Sequence, residues 1–225
     1  EFLWGNDIVI APVMHPDSMS RNVLLPPGNW FDFWSNYRIP GFSNFSIPAS
    51  LKVMPIFVKS GSIIPLTIPM NNTASYNGDS LVLLYFRDSS IVNVERELYF
   101  DDGLSSRSLI DGNYRLCSLN AFEDKQQSSI RFSMKTISGK GYAGEPQNRV
   151  LIVKCINVPK PNSLTLDGKK ISIAKDEISF YKLPMPIAWF KESKDAEYPN
   201  EVHIRMIGKK EESGTVMIQY GTKKK

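Results

Sequence analysis

Asp101 and Asp102 are adjacent carboxylic acids that end an apolar run and precede Gly103. Two carboxylic acids about 5–5.5 Å apart can hydrolyse a glycosidic bond with retention of configuration. Adjacent residues on a strand point to opposite faces, so these two side chains would not converge on one bond. The residue types instead favour a turn that ends the strand, with carboxylates that accept backbone N–H groups.

Other residues with ligating or nucleophilic chemistry are few. His15 and His203 are the two histidines, and neither belongs to a cluster with metal-ligand spacing, so no metal site is predicted. Cys117 and Cys155 lie in strand-like apolar segments, where a buried free thiol is common. A single disulfide between them stays open. The chain has no P-loop, dinucleotide-binding or nucleophile-elbow motif, and no cofactor is predicted.

Four aromatic residues follow a Pro-Pro-Gly turn: Trp30, Phe31, Phe33 and Trp34. In one continuous strand, Trp30 and Trp34 would share one face, and Phe31 and Phe33 the other. Such a cluster could form a platform on which a sugar stacks. A strand with bulky aromatics on both faces is more often packed between two layers, because large exposed apolar patches are rare. The pattern therefore favours a core between two domains.

The elements that position these residues are almost all strands. Runs of β-branched and aromatic residues alternate with Gly, Pro and Asn turns at the spacing of a sandwich. Strict alternation on both sides of Asp167-Gly168 predicts a hairpin with a type I′ turn, which needs φ > 0 at both residues. No long window has a helical period free of Gly or Pro, so helices should be short turns. The fold class is all-β, with a domain boundary in the polar, turn-rich residues 67–79.

The charge pattern excludes one class of function. The 225 residues carry a formal net charge of +4, and much of the excess lies near the C-terminus, where Lys223, Lys224 and Lys225 end the chain. A nucleic-acid-binding surface would need a basic face interleaved with aromatic residues, which the sequence lacks. The basic excess is therefore interpreted as a solvated tail. No run is long enough for a transmembrane helix.

Two sequons indicate a route through the cell. The sequences Asn44-Phe45-Ser46 and Asn71-Asn72-Thr73 both lie in turn-rich segments. Asn44 and Asn71 are therefore the candidate sites for an attached glycan. They predict a protein of the secretory pathway, whether secreted, lysosomal or in the lumen of the endoplasmic reticulum.

Three further segments carry a resemblance to a known family. They are EFLWGNDIVIAPV at residues 1–13, MPIFVKSGSIIP at residues 54–65 and ELYFDDG at residues 97–103. Between the first two, LPPGNWFDFW at residues 25–34 is similar to a family strand with spaced Pro, Gly, Trp and Asp. In order and spacing, the segments resemble the region after the catalytic barrel in α-glucosidases of glycoside hydrolase family 31, the maltase, sucrase-isomaltase and glucosidase II group.

The resemblance implies two antiparallel β-sandwich domains. Residues 1–6 would end the catalytic barrel, residues 7–70 would form a proximal domain and residues 71–225 a distal one. The chain would then be a non-catalytic part of a retaining α-glucosidase that hydrolyses terminal α-linked glucose. Its nucleophile and acid/base would lie upstream of Glu1. Nothing in the chain matches the family's nucleophile motif, so the chain alone should lack the catalytic residues.

The implied partner is the upstream barrel, through which the intact enzyme would bind its oligosaccharide substrate. Because the chain begins on an apolar run without Met, it is interpreted as a fragment. The candidate barrel interface comprises Phe2, Trp4, Trp30 and Trp34. The sequence departs from the family at Lys59-Ser60, where the family has Arg-Gly. The lost glycine disfavours φ > 0 at Ser60.

Two other classes of function stay open. The chain could be an independent carbohydrate-binding β-sandwich module, or a scaffold that binds only protein. A sugar-binding module would bind maltose or starch in isolation. A severed enzyme region would instead bind its missing barrel.

Overall fold

The structure, a computed structural model, describes residues 1–42, 44–48, 50, 52–76, 78–195, 197–210 and 212–221. The terminal Lys223, Lys224 and Lys225 lie outside these residues. Almost all regular structure is β-strand, which confirms the all-β fold class. The helices are short: a 3-10 helix at Thr73–Ser75, α1 at Ser108–Asp111 and α2 at Glu177–Lys182. None of the described helices has the length and apolar character needed to cross a membrane.

The first seven strands form two sheets. The strands are β1 (Phe2–Trp4), β2 (Ile8–Ile10), β3 (Ser20–Leu24), β4 (Asn29–Asp32), β5 (Arg38–Pro40), β6 (Asn44–Pro48) and β7 (Ile56–Lys59). Five of them form an antiparallel sheet in the order β1-β2-β7-β4-β5, which we call the N-terminal sheet. The other two, β3 and β6, pair beside it. Val9, Trp30 and Phe57 of the N-terminal sheet pack with Val23 and Leu25 in a small core.

The remaining twelve strands form two six-stranded sheets, which we call the distal sandwich. The strands are β8 (Ile63–Leu66), β9 (Ser80–Phe86), β10 (Asn93–Phe100), β11 (Arg115–Asp124), β12 (Ser129–Ser138), β13 (Asn148–Ile156), β14 (Pro161–Leu166), β15 (Lys169–Lys170), β16 (Ser172–Ala174), β17 (Ile187–Lys191), β18 (Glu201–Lys209) and β19 (Glu212–Tyr220). One sheet has the order β10-β11-β12-β19-β14-β15 and the other β16-β17-β18-β13-β9-β8. Most neighbours are antiparallel, and the pairs β9–β13 and β16–β17 are parallel.

The main hydrophobic core lies between these two sheets. Residues of β11 alternate between buried and half-buried along the whole strand, so one face points into the core. Leu119 and Phe132 enter the core from one sheet, and Leu151 and Val153 enter it from the other. Each of the four is at most 1% exposed. Two sheets packed face to face on such a core make a β-sandwich.

The N-terminal sheet packs against the outside of the distal sandwich. Phe31 and Val58 of the N-terminal sheet meet Leu84, Phe86 and Ile156 of the sandwich in a separate apolar cluster. The rings of Phe31 and Phe86 lie 5.5 Å apart. Aromatic side chains on β4 therefore do lie between two layers, and both layers belong to this chain.

The chain crosses from one region to the other between β7 and β8. Gly61 makes this turn with a φ of +81°, and a Cβ there would lie 2.5 Å from the Cδ1 atom of Ile91. Ser60 is not among the described residues with positive φ, in agreement with the effect expected of the lost glycine. Because β8 pairs with β9, residues 63–66 are hydrogen-bonded into the distal sandwich. The division into domains at residue 70 stays a prediction.

The predicted hairpin is confirmed. Asp167 and Gly168 have φ values of 49° and 78°, as a type I′ turn requires, and they join β14 to β15. The Asp167 carboxylate also accepts a hydrogen bond from the Thr215 N–H at 2.8 Å. The second arm is shorter than the alternation suggested, because the chain leaves for the opposite sheet after Lys170.

The aromatic segment folds differently from the prediction. Strand β4 ends at Asp32, whose Oδ1 atom accepts hydrogen bonds from the backbone N–H groups of Trp34 and Ser35 at 3.2 and 2.7 Å. These bonds turn the chain before Trp34. A continuous strand with Trp30 and Trp34 on one face is therefore wrong. Trp30 is 1% exposed and Trp34 is 55% exposed.

Candidate functional site

Asp101 and Asp102 lie in the turn that ends β10. The Asp101 carboxylate accepts a hydrogen bond from the Gly103 N–H at 2.9 Å. The Asp102 carboxylate accepts from the N–H groups of Leu104 and Ser105 at 3.0 and 3.1 Å. These donors lower the pKa of Asp102. The predicted turn is confirmed, and backbone donors engage both carboxylates.

The structure does not bring the two histidines together. His15 is exposed in a loop, whereas His203 is buried in β18. Among the described residues, no group of three His, Cys, Asp or Glu side chains could hold a metal ion. Cys117 and Cys155 are both free and buried in the main core. Burial raises the pKa of Cys155 to about 12, so this thiol stays protonated.

Strand β1 exposes three consecutive apolar side chains. Phe2, Leu3 and Trp4 are 55%, 54% and 67% exposed. The strand lies at the edge of the N-terminal sheet and, within the part of the chain that the structure describes, pairs only with β2. Successive side chains point to opposite faces of a strand. Both faces of β1 are therefore open to solvent.

Trp34 lies at the end of the sheet where Phe2 lies. Phe2 pairs with Ile10, and Ile10 pairs with Ile56. The Ile56 carbonyl in turn accepts the Phe33 N–H at 2.9 Å, which continues the row across the sheet. Trp34 is the next residue along the chain.

The exposed Trp34 ring is held in place. Its indole N–H donates to the Met54 carbonyl oxygen at 2.7 Å, and the Phe33 ring meets it edge-on at 5.0 Å. A fixed exposed aromatic can contact another body with little loss of side-chain entropy. We call Phe2, Leu3, Trp4 and Trp34 the apolar edge.

Trp30, which the sequence grouped with these residues, lies inside the molecule. Its indole N–H donates to the Pro26 carbonyl oxygen at 2.9 Å, and its ring packs with Val9 and Phe57. A side chain that is 1% exposed offers no area to a partner. Of the four residues suggested for a barrel interface, Phe2, Trp4 and Trp34 are at the surface and Trp30 is in the core.

Both candidate glycosylation residues are accessible. Asn44 is exposed at the first position of β6, and Asn71 is exposed just before the 3-10 helix. The neighbouring Asn72 caps that helix, since its Oδ1 atom accepts the Ser75 N–H at 3.1 Å. A glycan on Asn71 would leave this cap undisturbed.

A buried polar cluster joins the N-terminal sheet to the distal sandwich at Asp88. Its Oδ2 atom accepts hydrogen bonds from Asn29 Nδ2 at 2.8 Å and Ser60 Oγ at 3.1 Å. Its Oδ1 atom accepts from the N–H and hydroxyl of Ser90 at 2.9 and 2.8 Å. Burial opposes the charged form, but these hydrogen bonds lower the pKa of Asp88 to about 2. The hydroxyl of Ser60 thus helps to hold the two regions together at this junction.

A second polar cluster lies on the outer face of β18. The Glu201 carboxylate accepts hydrogen bonds from Lys191 Nζ at 2.5 Å and Asn36 Nδ2 at 3.1 Å, and His203 Nε2 lies 2.6 Å from it. Burial opposes ionisation, but His203 and Lys191 lower the pKa of Glu201 to about 2. Burial also lowers the pKa of His203, against the attraction of Glu201, so its imidazole is neutral at pH 7.

This cluster borders a cavity of about 250 Å³ between the two regions, which we call the junction cavity. Its polar lining consists of Asn36, Lys154, Glu177, Lys191, Glu201 and His203. Trp189 adds an aromatic ring.

Of the groups around these junctions, the sequence drew attention only to His203 and Ser60, and to neither as part of a buried cluster. Glu201 and His203 alternate with the buried Val202 and Ile204, so a polar pair on one face of an apolar strand was a usable signal. Asn36 carried no such signal, because its contact with Glu201 spans 165 positions of sequence.

A known family matches the part of the chain that forms the N-terminal sheet and its apolar edge. The family model described as the Glycosyl hydrolase family 31 C-terminal domain matches residues 1–64. Over these residues the chain is a glycoside hydrolase family 31 C-terminal domain. The match covers β1 to β7 and the first residues of β8.

Curated relatives extend the match toward the C-terminus. An α-xylosidase of Saccharolobus solfataricus is 30% identical over 179 residues, which cover 79% of this chain and 22% of that protein. Alpha-glucosidase 2 of Bacillus thermoamyloliquefaciens is 35% identical over 103 residues, which cover 46% of this chain and 13% of that protein. The chain therefore spans less than a quarter of the length of either relative.

A solved structure shares the fold of almost the whole chain. The family 31 dextranase of Flavobacterium johnsoniae, complexed with glucose, covers 96% of this chain with a TM-score of 0.75 and 22% identity. The match takes in 26% of the dextranase chain. The resemblance in fold thus continues beyond Gly103, where the sequence motifs end.

Proposed function

We propose that this chain is the non-catalytic C-terminal part of a retaining α-glucosidase that hydrolyses terminal α-linked glucose, and that it supports the catalytic barrel through the apolar edge. The family match to residues 1–64 carries the proposal. An α-xylosidase and an α-glucosidase among the relatives favour a substrate with an α-linked sugar. A retaining mechanism would use two carboxylic acids of the barrel.

The apolar edge fits a surface that a second body covers. Phe2, Leu3 and Trp4 are each more than half exposed, and Trp34 is fixed by its bond to Met54. Apolar area removed from water stabilises a contact by about 25 cal/mol per Å². Because Phe2, Leu3 and Trp4 lie on the edge strand of the N-terminal sheet, a barrel that packs on this edge would cover them.

The test uses the intact enzyme, cloned with its upstream region. Leu3→Ser should weaken the attachment of the barrel, lowering both the thermal midpoint of the enzyme and its α-glucosidase activity. The matched control is Ile110→Ser, which changes a 75% exposed residue of the distal sandwich. Equal losses from the two variants, or none from Leu3→Ser, would refute the role of the apolar edge.

The isolated chain should not hydrolyse p-nitrophenyl α-glucoside, because backbone donors engage Asp101 and Asp102. Release of p-nitrophenol that Asp101→Asn abolishes would contradict this. The same preparation tests the rival function. Binding of maltose or starch by the isolated chain, without affinity for the barrel, would favour an independent carbohydrate-binding module.

We also propose that the protein passes through the secretory pathway and carries glycans at Asn44 and Asn71. Both side chains are exposed, and both belong to sequons. After secretory expression, endoglycosidase treatment should reduce the mass, and Asn44→Gln with Asn71→Gln should remove that change. An unmodified wild-type protein would refute this localisation.

A further inference from the structure

The junction cavity has a floor from one sheet and walls from two other parts of the chain. Lys154, His203 and Trp189 lie in one row across β13, β18 and β17. Asn36 comes from the loop after β4, and Glu177 is the first residue of α2. The volume of about 250 Å³ lies just below the range of about 300–1,000 Å³ usual for ligand pockets. The cavity is therefore sized for one small ring rather than a chain of sugars.

The charges that line the cavity balance. Lys154 and Lys191 are cations, Glu177 and Glu201 are anions, and His203 is neutral at pH 7. An anionic ligand would meet two carboxylates, and a cationic ligand would meet two ammonium groups. A neutral ligand avoids both repulsions.

The residues that line the cavity include both hydrogen-bond donors and hydrogen-bond acceptors. Among the described residues, the Trp189 indole N–H, the Lys154 ammonium and the Glu177 carboxylate have no hydrogen-bond partner. Asn36 uses its amide N–H on Glu201, which leaves its carbonyl oxygen as an acceptor. A hydroxyl group can both donate and accept, so several hydroxyls on one ring would match this mixed set.

The cavity also has an apolar side. The Trp189 ring, the Phe33 ring and the Leu84 side chain line it together with the polar groups. Ligand pockets generally combine apolar walls with a few placed polar groups. A ring with hydroxyls at its rim and C–H groups on its faces satisfies both kinds of wall.

We propose that the junction cavity is a non-catalytic binding site for one neutral sugar ring. The ligand would contact the loop after β4, β18 and α2 at once, and so hold the N-terminal sheet against the distal sandwich. The site goes beyond the proposed support of a barrel and uses none of the residues of the apolar edge.

The test observes Trp189 directly in the 225-residue chain. The chain has four tryptophans, so its ¹⁵N–¹H spectrum should show four indole signals, of which Trp189→Phe identifies one. Titration with D-glucose should move the Trp189 signal along a saturating curve and leave the Trp4 signal in place. Lys154→Met and Glu177→Gln should each weaken the affinity about tenfold, as the loss of one hydrogen bond to a charged group predicts.

Lys169→Met is the matched control, since Lys169 is an exposed lysine on the other sheet and should not alter binding. A Trp189 signal that does not respond to D-glucose would overturn the proposal. So would a response to glucose 6-phosphate without a response to D-glucose, because it would show a site for anions. Enzymatic activity is not measured, so either result leaves the proposed α-glucosidase role to its own test.

Discussion

The N-terminal sheet and the distal sandwich place their apolar side chains in opposite ways. The sandwich encloses them between two six-stranded sheets, where Leu151 and Phe132 are at most 1% exposed. The N-terminal sheet has a small core around Trp30 and leaves Phe2 and Trp4 more than half exposed at its edge. The two sheets of the sandwich bury each other's apolar side chains, whereas the N-terminal sheet has apolar side chains that only a surface outside the sheet can cover.

This difference suggests separate roles: the N-terminal sheet connects to a further domain, and the distal sandwich supports the N-terminal sheet. The distal sandwich covers one face of the N-terminal sheet. Phe31 packs against Phe86 there, and Asn29 and Ser60 donate hydrogen bonds to Asp88. At its β1 end lies the apolar edge. A sheet with one covered face and one such edge is suited to link a neighbouring domain to the sandwich.

The largest effect should separate the two tryptophans that the sequence grouped together. Trp30→Ala should lower the free energy of unfolding by about 3–5 kcal/mol, because it empties the small core. Trp34→Ala should cost about 1 kcal/mol, since the ring is half exposed and loses one hydrogen bond. Urea denaturation of the isolated chain measures both. Similar losses from the two variants would erase the distinction between core and edge.

The junction should give an intermediate, pH-dependent effect. The pKa of Asp88 is lowered to about 2 in the folded chain, so its stabilising effect is present above its unfolded pKa of about 4 and is lost as the pH falls toward 2. Asp88→Asn should therefore cost about 2 kcal/mol at pH 6 and progressively less as the pH falls.

Urea midpoints of wild type and variant, measured across this pH range, test the junction. Glu197→Gln, at an exposed position, is the control and should keep the wild-type profile. A constant gap between wild type and Asp88→Asn at every pH would argue that ionisation of Asp88 does not hold the two regions together.

A smaller effect is expected at the hairpin of the sandwich. Gly168→Val should destabilise the chain by about 1 kcal/mol, because a β-branched residue is strained at a φ of 78°. A Cβ at this position would meet no other atom within 4 Å, so the cost comes from the backbone alone. Lys169→Val, one residue later in β15, should change the thermal midpoint little. Equal midpoints for the two variants would count against this source of strain.

Local chemistry explains which parts of the fold the sequence could predict. The Asp167-Gly168 turn and the Asp101-Asp102-Gly103 turn depend on neighbouring residues, and both were predicted correctly. The end of β4 also depends on a local bond, from Asp32 to the Ser35 N–H. The alternation of aromatic residues predicted a longer strand, because a side-chain pattern does not show where backbone hydrogen bonding stops.

The candidate sites were less predictable, because they depend on contacts between distant segments. The family resemblance suggested Phe2 and Trp4 as surface residues, but it also suggested Trp30, whose burial depends on the sheet that covers it. The junction cavity needs Asn36 beside Glu201. Periodicity assigns a residue to a face, and it does not identify what packs on that face.

Strand β8 protects the edge of its sheet from pairing with other chains. It is the outermost strand, and its Pro65 has no N–H to offer a further strand. If the polypeptide were cut at residue 70, strand β8 would be lost with the N-terminal piece. The seven-residue apolar strand β9 would then become a bare edge, of the kind on which aggregates grow.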